Sequence, residues 1–244
     1  MLPKVAIICA NYNYGRFIVE GMKSIQKQYY KGKIRLYIVD DGSSDDSWQK
    51  ISEFAAEDPD FVFAQRIENS GASVARNTAI AAAWEWADIF GILDADDSYK
   101  PNKVEKLVEK LMEYPEVGVA YGDYDIHRSY GDKHYVKYEA KSPYCRRGLS
   151  QRCMVHSNAL IKKEYLEKVI LPNGEIFDSR LHGPASQGFI GCTEDYDLWL
   201  RLSHHCIMCH LPESLSIVNE SGQNQSMKMT PEIFQQQAQI LGSR

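Results

Sequence analysis

Short apolar runs alternate with longer amphipathic stretches over the first 125 residues. The apolar runs have five to seven residues and predict buried strands at Val5–Ala10, Ile34–Asp40, Phe61–Gln65, Ile89–Leu93 and Val117–Tyr121. The stretches between them predict helices at Phe17–Tyr29, Asp45–Ala56, Ala72–Ala87 and Pro101–Tyr114. Because strands that alternate with helices form βαβ units, we expect an α/β fold with a mostly parallel central sheet and helices on both faces.

The pattern becomes irregular after Asp125. Two stretches without a sustained period, His127–Met154 and Leu171–Cys192, are long enough to suggest functional loops. Around them the sequence predicts helices at Lys162–Val169 and Glu194–Ser203, strands at Ile207–Leu211 and Leu215–Val218, and a polar helix from Thr230. We expect one domain over residues 1–244, in which 1–124 form a nucleotide-binding half and 125–244 shape a substrate pocket.

Composition narrows the class of protein. A content of 44% hydrophobic and 25% charged residues is typical of a globular chain, and a net charge of −5 without a basic stripe argues against a nucleic-acid partner. The longest early apolar run, Val5–Ala10, is too short for a membrane span or a signal peptide. Six cysteines in 244 residues do not resemble a disulfide framework, so we expect a cytoplasmic protein.

Polar side chains follow three of the predicted strands. They are Asn11-Tyr12-Asn13 after the first strand, the segment Asp40–Asp45 after the second and Asp94–Asp97 after the fourth. The carboxyl ends of parallel strands meet at one edge of a sheet, and ligands bind in the crevice outside that edge. We therefore expect the three clusters to share one site.

Asp94 and Asp96 are the candidate metal ligands. Residues i and i+2 of an extended segment project to the same side, so both carboxylates can face one cation, and hard oxygen ligands suit Mg²⁺ or Mn²⁺. The alternative is a solvated acidic turn before the helix at Pro101.

The other two clusters also allow a functional and a structural interpretation. A carboxylate of Asp40–Asp45 can accept hydrogen bonds from a base or a ribose, whereas Ser43 or Ser44 is expected to cap the next helix. Tyr12 can stack on a base or simply pack. The helix that opens within Asn69–Asn77 can meet a diphosphate through its amides and Arg76, or it is an ordinary glycine-containing turn.

Taken in order, these segments resemble inverting, metal-dependent glycosyltransferases of family 2, which have the GT-A fold. The matching segments are Ile7–Asn13, Val39–Asp45, Asn69–Asn77, Leu93–Asp97 followed by Pro101, and Glu194–Leu202. All five occur in the family's order and cover roughly residues 3–124 and 155–220. The resemblance implies transfer of a sugar from a nucleoside-diphosphate sugar, with a UDP-sugar favoured, to a hydroxyl of a glycan or lipid-linked acceptor, with peripheral membrane contact an option.

The resemblance also implies a role for each matching residue. Tyr12, Asp40 and Asp41 would hold the base and the ribose, and Ala10, Asn11, Gly71 and Ala95 would line the same nucleotide site. Arg76 and Asn77 would lie near the diphosphate or the ribose, Asp94 and Asp96 would bind Mn²⁺ or Mg²⁺, and Asp195 would be the general base. The structural alternative for Glu194-Asp195 is a pair of acids at a helix start.

Two features depart from the family pattern. Ser221 stands where many relatives have a histidine that helps to bind the metal, and Cys9-Ala10 replaces a common Pro-Thr or Pro-Ser. Acceptor choice is expected to lie in Ser129–Cys153 and Leu171–Cys192, whose aromatic residues can stack on sugars: Tyr130, Tyr135, Tyr138, Tyr144, Phe177 and Phe189.

The sequence also allows other sites and functions. Cys206-x-x-Cys209 with flanking histidines suggests zinc, but there is no second Cys-x-x-Cys, and the two cysteines of a strand at this spacing would point to opposite faces. His156-Ser157 can orient an acceptor, although a hydrogen-bonded core histidine is the simpler interpretation. A metal-dependent phosphohydrolase would place its paired Asp after the first strand, where Asn11-Tyr12-Asn13 stands. A non-catalytic glycan- or nucleotide-binding module would not need Asp195.

Overall fold

The computed structural model describes residues 1–130, 133–150, 153–182, 193–220 and 241, with the backbone alone at 129, 130 and 133. Its strands are β1 Val5–Asn11, β2 Ile34–Asp40, β3 Val62–Arg66, β4 Ile89–Asp94, β5 Ser98–Tyr99, β6 Val117–Tyr130, β7 Lys133–Glu139, β8 Leu160–Lys162 and β9 Ile207–Glu220. Its helices are α1 Ile18–Gln26, α2 Ser47–Glu57, α3 Ala72–Ala83, α4 Lys103–Glu113, α5 Arg146–Leu149, α6 Lys163–Leu166 and α7 Glu194–Leu202, and a 3₁₀ turn spans Glu167–Val169.

One sheet runs through both halves of the described chain, in the order β3-β2-β1-β4-β8-β6-β9-β5. The four strands from β3 to β4 are parallel, as predicted, with Val5 opposite both Ile34 and Ile89. Strand β8 joins β4 to β6 in antiparallel pairing, and the long strands β6 and β9 lie parallel to each other. The α/β class and the mostly parallel central sheet predicted from the sequence are confirmed.

Apolar cores lie on both faces of this sheet. Alternate residues of β1 supply the two cores, with Ala6 and Ile8 on one face and Val5, Ile7 and Cys9 on the other. Helices α3 and α7 cover the first face, and helices α1 and α4 cover the second. A strand that is buried on both faces must be apolar throughout, which explains why β1, β2 and β4 read as continuous apolar runs.

The second half contains more strand than the sequence predicts. Residues His127–Met154 were expected to be irregular, but β6 continues to Tyr130 and pairs with β7 as an antiparallel hairpin. Strand β7 carries no inside-outside alternation because Tyr135, Val136 and Tyr138 are all about half exposed. The two strands predicted from Ile207 to Val218 are one strand, β9, whose register with β6 shifts between Leu211 and Ser214.

Several predicted boundaries also differ. Helix α3 ends at Ala83 rather than Ala87, and α4 begins at Lys103, two residues after Pro101. Neither Ser43 nor Ser44 caps α2, which begins at Ser47; instead the carboxylate of Asp45 accepts the amide of Ser47. Strands β5 and β8 have two and three residues, too few for a hydrophobic pattern to predict them. The helix expected from Thr230 lies outside the described residues.

The cysteines and the candidate zinc segment take ordinary positions. The five described cysteines are free thiols, and Cys206 and Cys209 pack against opposite faces of the sheet. Among the described residues, no three His, Cys, Asp or Glu side chains lie close enough to hold a metal by themselves. No helix in the described ranges has the length and apolarity needed to cross a membrane.

Candidate functional site

A cavity of about 280 Å³ opens at the carboxyl ends of β1, β2 and β4 and reaches the first turn of α7. Ten of the residues predicted for the site line it: Ala10, Asn11, Tyr12, Asp41, Gly71, Arg76, Asp94, Ala95, Asp96 and Asp195. Asp40 and Asn77 do not line it, although each lies next to a residue that does. Predicted site residues up to 185 positions apart in sequence therefore meet in one cleft, as expected for the edge of a parallel sheet.

Asp40 lies behind the residues that line the cavity and is hydrogen-bonded to one of them, Asn11. Its side chain is fully buried, and Oδ1 accepts hydrogen bonds from Asn11 Nδ2 (2.8 Å) and Ser43 Oγ (2.5 Å). Oδ2 accepts the amide of Ser43 at 3.1 Å. The hydroxyl of Ser43 in turn accepts the amide of Asn13 at 2.9 Å. Asp40 thus ties together the loops that follow β1 and β2.

Asp41 faces the cavity and holds the start of α3. Its carboxylate accepts the amides of Ser70 (2.7 Å) and Gly71 (2.9 Å) and the side-chain amide of Asn69 (3.1 Å). Burial raises the pKa of this carboxyl group, and the two backbone amides oppose that rise. Asp41 thus occupies the amides of Ser70 and Gly71, which directly precede α3.

Asn77 joins α3 to the second half of the chain. Its Oδ1 accepts the amides of Ile176 (3.1 Å) and Phe177 (2.9 Å), and its Nδ2 donates to the carbonyl of Phe177 at 2.8 Å. The ring of Phe177 lies 5.3 Å from the guanidinium of Arg76. All three hydrogen bonds of this side chain therefore go to the segment Ile176-Phe177.

Arg76 is the centre of the site. The side chain is 7% exposed, and its Nη2 donates to Asp94 Oδ1 at 2.9 Å while its Nη1 donates to Glu194 Oε1 at 2.5 Å. The same Nη1 lies 3.8 Å from Asp195 Oδ1. Arg76 therefore brings the predicted metal-binding turn and the predicted base to opposite ends of one guanidinium group.

Glu194 and Asp195 open α7 and have different environments. Burial alone would raise the pKa of Glu194, but His182 and Arg76 lower it to about 2. Burial raises the pKa of Asp195 to about 7, although Arg76 opposes the rise. Oδ1 of Asp195 is buried and accepts no hydrogen bond from the described residues. A carboxyl group with a pKa near neutrality suits a general base.

The acidic turn after β4 concentrates negative charge. Asp94 accepts from Arg76 through Oδ1 and from the hydroxyl of Ser157 through Oδ2. Burial, and then the charge of Asp94, raises the pKa of Asp96 to about 7. Asp97 is buried against Asn158, which donates to its Oδ2 at 2.8 Å. Crowded carboxylates of this kind are stabilised when a cation shares them.

The site fits a divalent cation in part. Asp94 and Asp96 present hard oxygen atoms to one cavity, which is the chemistry that Mg²⁺ and Mn²⁺ prefer. Both oxygens of Asp94 already accept protein donors, from Arg76 and Ser157. Ser221, at the position of the third ligand in many relatives, lies outside the described residues.

Sequence reasoning missed some cavity residues. Asn69 and His182 line the cavity and contact Asp41 and Glu194 respectively. Asn69 belongs to the segment Asn69–Asn77, which resembles the family. His182 belongs to no motif and lies in the predicted loop Leu171–Cys192, just before its glycine-containing part. His156 and Ser157, which the sequence left between two roles, also line the cavity. Burial lowers the pKa of His156 well below its usual range, so its ring is neutral.

Comparison with known proteins identifies the family. Residues 6–170 match the sequence model of the family described as Glycosyl transferase family 2. This chain belongs to glycosyl transferase family 2. Among its relatives, an uncharacterized glycosyltransferase of Nostoc is 35% identical over 116 residues, which are 48% of this chain and 35% of the relative. Glycosyltransferase GlyG of Streptococcus pneumoniae is 27% identical over 194 residues, which are 73% of this chain and 63% of the relative.

Solved structures show that this family 2 chain has the GT-A fold. TarS 1–349 of S. aureus in complex with UDP-GlcNAc aligns with a TM-score of 0.68 at 14% identity, over 95% of this chain and 64% of that chain. The mannosyltransferase PcManGT of Pyrobaculum calidifontis, in complex with GDP-Man and Mn²⁺, aligns with a TM-score of 0.67 at 20% identity, over 93% and 60%. The chain spans less than two thirds of each of these four proteins.

Proposed function

We propose that this chain transfers a sugar from a nucleoside-diphosphate sugar to an acceptor hydroxyl, with inversion at the anomeric carbon. The supporting observation is that Arg76 brings Asp94 and Asp195 to one cavity, because such a transfer needs a diphosphate site and a base side by side. Membership of glycosyl transferase family 2 supports the same activity. The complexes of TarS with UDP-GlcNAc and of PcManGT with GDP-Man are consistent with this class of donor, and we favour a UDP-sugar.

The donor would lie along the carboxyl ends of β1 and β2. Tyr12 offers a ring for the base, and Asp41 offers a buried carboxylate at the same wall of the cavity. The remaining predicted nucleotide residues, Ala10, Asn11, Gly71 and Ala95, supply the backbone surface between them. Asp40 supports this wall through Asn11 and Ser43, and Asn77 lies next to Arg76 and holds Phe177, so we assign both positioning roles rather than contacts with the nucleotide.

Asp96, with Asp94 behind it, would hold a divalent ion, Mn²⁺ or Mg²⁺. Such an ion supplies charge stabilisation to the leaving diphosphate when it is bound. Arg76, already between Asp94 and Glu194, places a permanent positive charge at the same end of the cavity. The PcManGT complex with Mn²⁺ is consistent with a divalent ion in this fold.

Asp195 would act as the general base. Its carboxylate removes the proton of the acceptor hydroxyl while the hydroxyl oxygen attacks the anomeric carbon, and the bond from that carbon to the diphosphate oxygen breaks. A single displacement inverts the anomeric centre. The acceptor, a glycan or a lipid-linked sugar, would approach Asp195 at the start of α7, whereas Phe177, which was expected to stack on a sugar, is buried in the core.

The test is nucleotide release from UDP-, GDP- and dTDP-sugars with Mn²⁺ or Mg²⁺, compared between wild type and Asp195→Asn. The variant is expected to bind the donor with unchanged affinity and to lose at least about a hundredfold in turnover. Asp60→Asn, which removes an exposed carboxylate on the loop before β3, serves as the matched control and should stay active. An active Asp195→Asn enzyme would refute the base role. Binding that ignores EDTA and the loss of Asp96 would refute the metal role.

The two other candidate functions give different results in the same assay. A phosphohydrolase would release inorganic phosphate from simple phosphate esters. A binding module would show donor binding by calorimetry without turnover on any donor. No feature of the cavity favours either of these functions over sugar transfer. The cavity is lined both by the acidic pair Asp94 and Asp96 and by Asp195, which supports transfer.

A further inference from the structure

His182 and Glu194 form a buried pair directly behind the proposed base. His182 Nδ1 lies 2.7 Å from Glu194 Oε1, and the two residues are 7% and 2% exposed. The same Oε1 accepts Arg76 Nη1 at 2.5 Å. The mechanism above uses Arg76 and Asp195 but gives His182 and Glu194 no role.

Apart from His182, a single positive charge faces several carboxylates around this pair. Arg76 is shared by three carboxylates, with Asp94 and Glu194 hydrogen-bonded to it and Asp195 at 3.8 Å. Glu194 and Asp195 are adjacent in sequence, and each one's negative charge disfavours the charge of the other. Asp41, across the cavity, adds a further carboxylate within electrostatic range of His182. One guanidinium group therefore faces more negative charge than it can neutralise.

His182 and Arg76 contact the same oxygen of Glu194, Oε1. In its imidazolium form His182 donates from Nδ1 and adds a second positive charge next to the buried carboxylate. Glu194 is then compensated by His182 and Arg76 together, and Asp195 stands beside a neutralised neighbour. The imidazole of His182 need not touch the reacting atoms to have this effect.

We propose that His182 is a positioning residue that compensates the charge of Glu194, so that Asp195 next to it is free to accept the proton of the acceptor hydroxyl. This inference rests on the proposed function, in which Asp195 is the base. The inference adds His182, which would act through Glu194 and lies outside the segments that resemble the family.

The decisive variant is His182→Asn, which keeps an N–H donor near the position of Nδ1 and removes the positive charge. The titration of Asp195 can be followed directly by NMR of carboxyl-¹³C aspartate, with the Asp195 signal assigned from Asp195→Asn. Loss of the positive charge is expected to raise the proton affinity of Asp195 about tenfold or more. His205→Asn, on the exposed turn after α7, is the matched control and should leave the Asp195 titration unchanged.

A second variant tests whether His182 acts through Glu194, and His182→Gln, which is also uncharged, replaces His182→Asn throughout if the latter does not fold. Glu194→Gln removes a neighbouring negative charge, so the proton affinity of Asp195 should fall, which is the opposite direction. In the Glu194→Gln background, His182→Asn should change the titration of Asp195 by less than half of its effect in wild type. A purely structural histidine would not produce opposite shifts in the two single variants.

The outcomes separate this inference from the proposed function. In the nucleotide-release assay, the rise of turnover with pH should move to higher pH in His182→Asn, so activity lost at pH 7 returns near pH 9. An unchanged Asp195 titration in His182→Asn, or an equal effect in the Glu194→Gln background, overturns the inference. If the NMR shifts occur but the wild type releases no nucleotide from any donor, the proposed function fails while the charge compensation stands.

Discussion

Asp40 and Asp41 are adjacent in sequence, yet the fold gives them different surroundings. Asp40 is fully buried under Asn11 and Ser43, whereas Asp41 lines the cavity and accepts the amides of Ser70 and Gly71. Alternation along an extended segment is the cause, because consecutive side chains leave the backbone on opposite sides. The two residues should therefore respond differently to the same substitution.

We expect Asp40→Asn to lower the free energy of unfolding by about 2 kcal/mol, because a buried acceptor of three hydrogen bonds is replaced by a group with only one oxygen. Asp41→Asn, which also replaces a buried acceptor of three hydrogen bonds, should cost a similar amount of stability and in addition weaken the binding of nucleoside diphosphate about tenfold. Urea unfolding and calorimetric titration with UDP measure the two effects. The assignment is wrong if Asp40→Asn proves the more damaging of the two for nucleotide binding in the folded protein.

The acidic turn predicts a dependence of stability on pH. Burial raises the pKa of Asp96 from 3.8 to about 7, so between these pH values the folded chain holds a proton that the unfolded chain releases. The stability associated with this proton is fully present below about pH 4 and is lost as the pH rises through 7.

In EDTA, Asp96→Asn should consequently lose less stability than wild type between pH 5 and pH 8, because the amide does not ionise. Thermal unfolding of both proteins across this range measures the difference. Asp60→Asn, exposed and distant from the turn, should keep the wild-type slope. Parallel curves for Asp96→Asn and wild type would contradict the raised pKa.

Polar clusters at the ends of strands allowed several residues of the cavity to be predicted from the sequence. Tyr12, Asp41 and Asp96 were found in this way, and the family resemblance added Asp195. The separate roles of Asp40 and Asp41 could not be predicted, because the side of an extended segment that faces a cavity depends on the loops packed against it. His182 was missed because it contacts Glu194, 12 residues away, across a segment without periodicity.

Among the elements, the entry to α3 depends on a glycine in the loop after β2. Gly42 has a φ of 74°, and a Cβ at this position would lie 2.9 Å from the amide nitrogen of Asn69. Asn69 donates to the carboxylate and the carbonyl of Asp41, so the two loops fit together only without a side chain at Gly42.

We expect Gly42→Ala to reduce the free energy of unfolding by about 3 kcal/mol, the sum of backbone strain and the clash with Asn69. Gly174→Ala is the matched comparison, since its φ is 87° but no atom lies within 4 Å of the added Cβ. That variant should lose only about 1 kcal/mol from strain. Chemical denaturation of both proteins checks the prediction, and equal losses would remove the clash as a cause.

Strands that are buried on both faces were predicted more accurately from the sequence than exposed ones. Strands β1, β2 and β4 are covered on both faces, so their apolar runs gave the correct type and nearly correct ends. Strand β7 is exposed on both faces and left no pattern, although its backbone pairs with seven residues of β6. Hydrogen bonding between backbones does not depend on side-chain polarity, so exposed ribbons are invisible to hydrophobic periodicity.

At the scale of the whole molecule, α7 must be held at the same cavity as the parallel strands. Arg201 performs this task from within α7, donating to Asp197 Oδ2 at 2.8 Å and to the carbonyls of Val169 and Ile176, both at 2.5 Å. The guanidinium group thereby fastens the helix to the segment that also receives Asn77.

Arg201→Met should cost about 3–5 kcal/mol of stability, because it removes the guanidinium group that is hydrogen-bonded to the buried carboxylate of Asp197 and to two backbone carbonyls. In the folded fraction, turnover should fall more than UDP affinity, because α7 carries Asp195 while the nucleotide wall belongs to β1 and β2. Urea unfolding and steady-state kinetics test the two parts. The double variant Arg201→Met/Asp197→Leu should recover part of the stability, and a further loss there would contradict the charge argument.

Arg76 and Asn77 project from a helix of the first half into contacts with Glu194 and Phe177 of the second. A chimaera that joins residues 1–124 of this chain to the remainder of a distant relative would therefore inherit only part of each contact. A recombination experiment that aims to change acceptor preference should therefore take α3 and α7 from the same parent. The β6–β7 ribbon can be exchanged without separating α3 from α7.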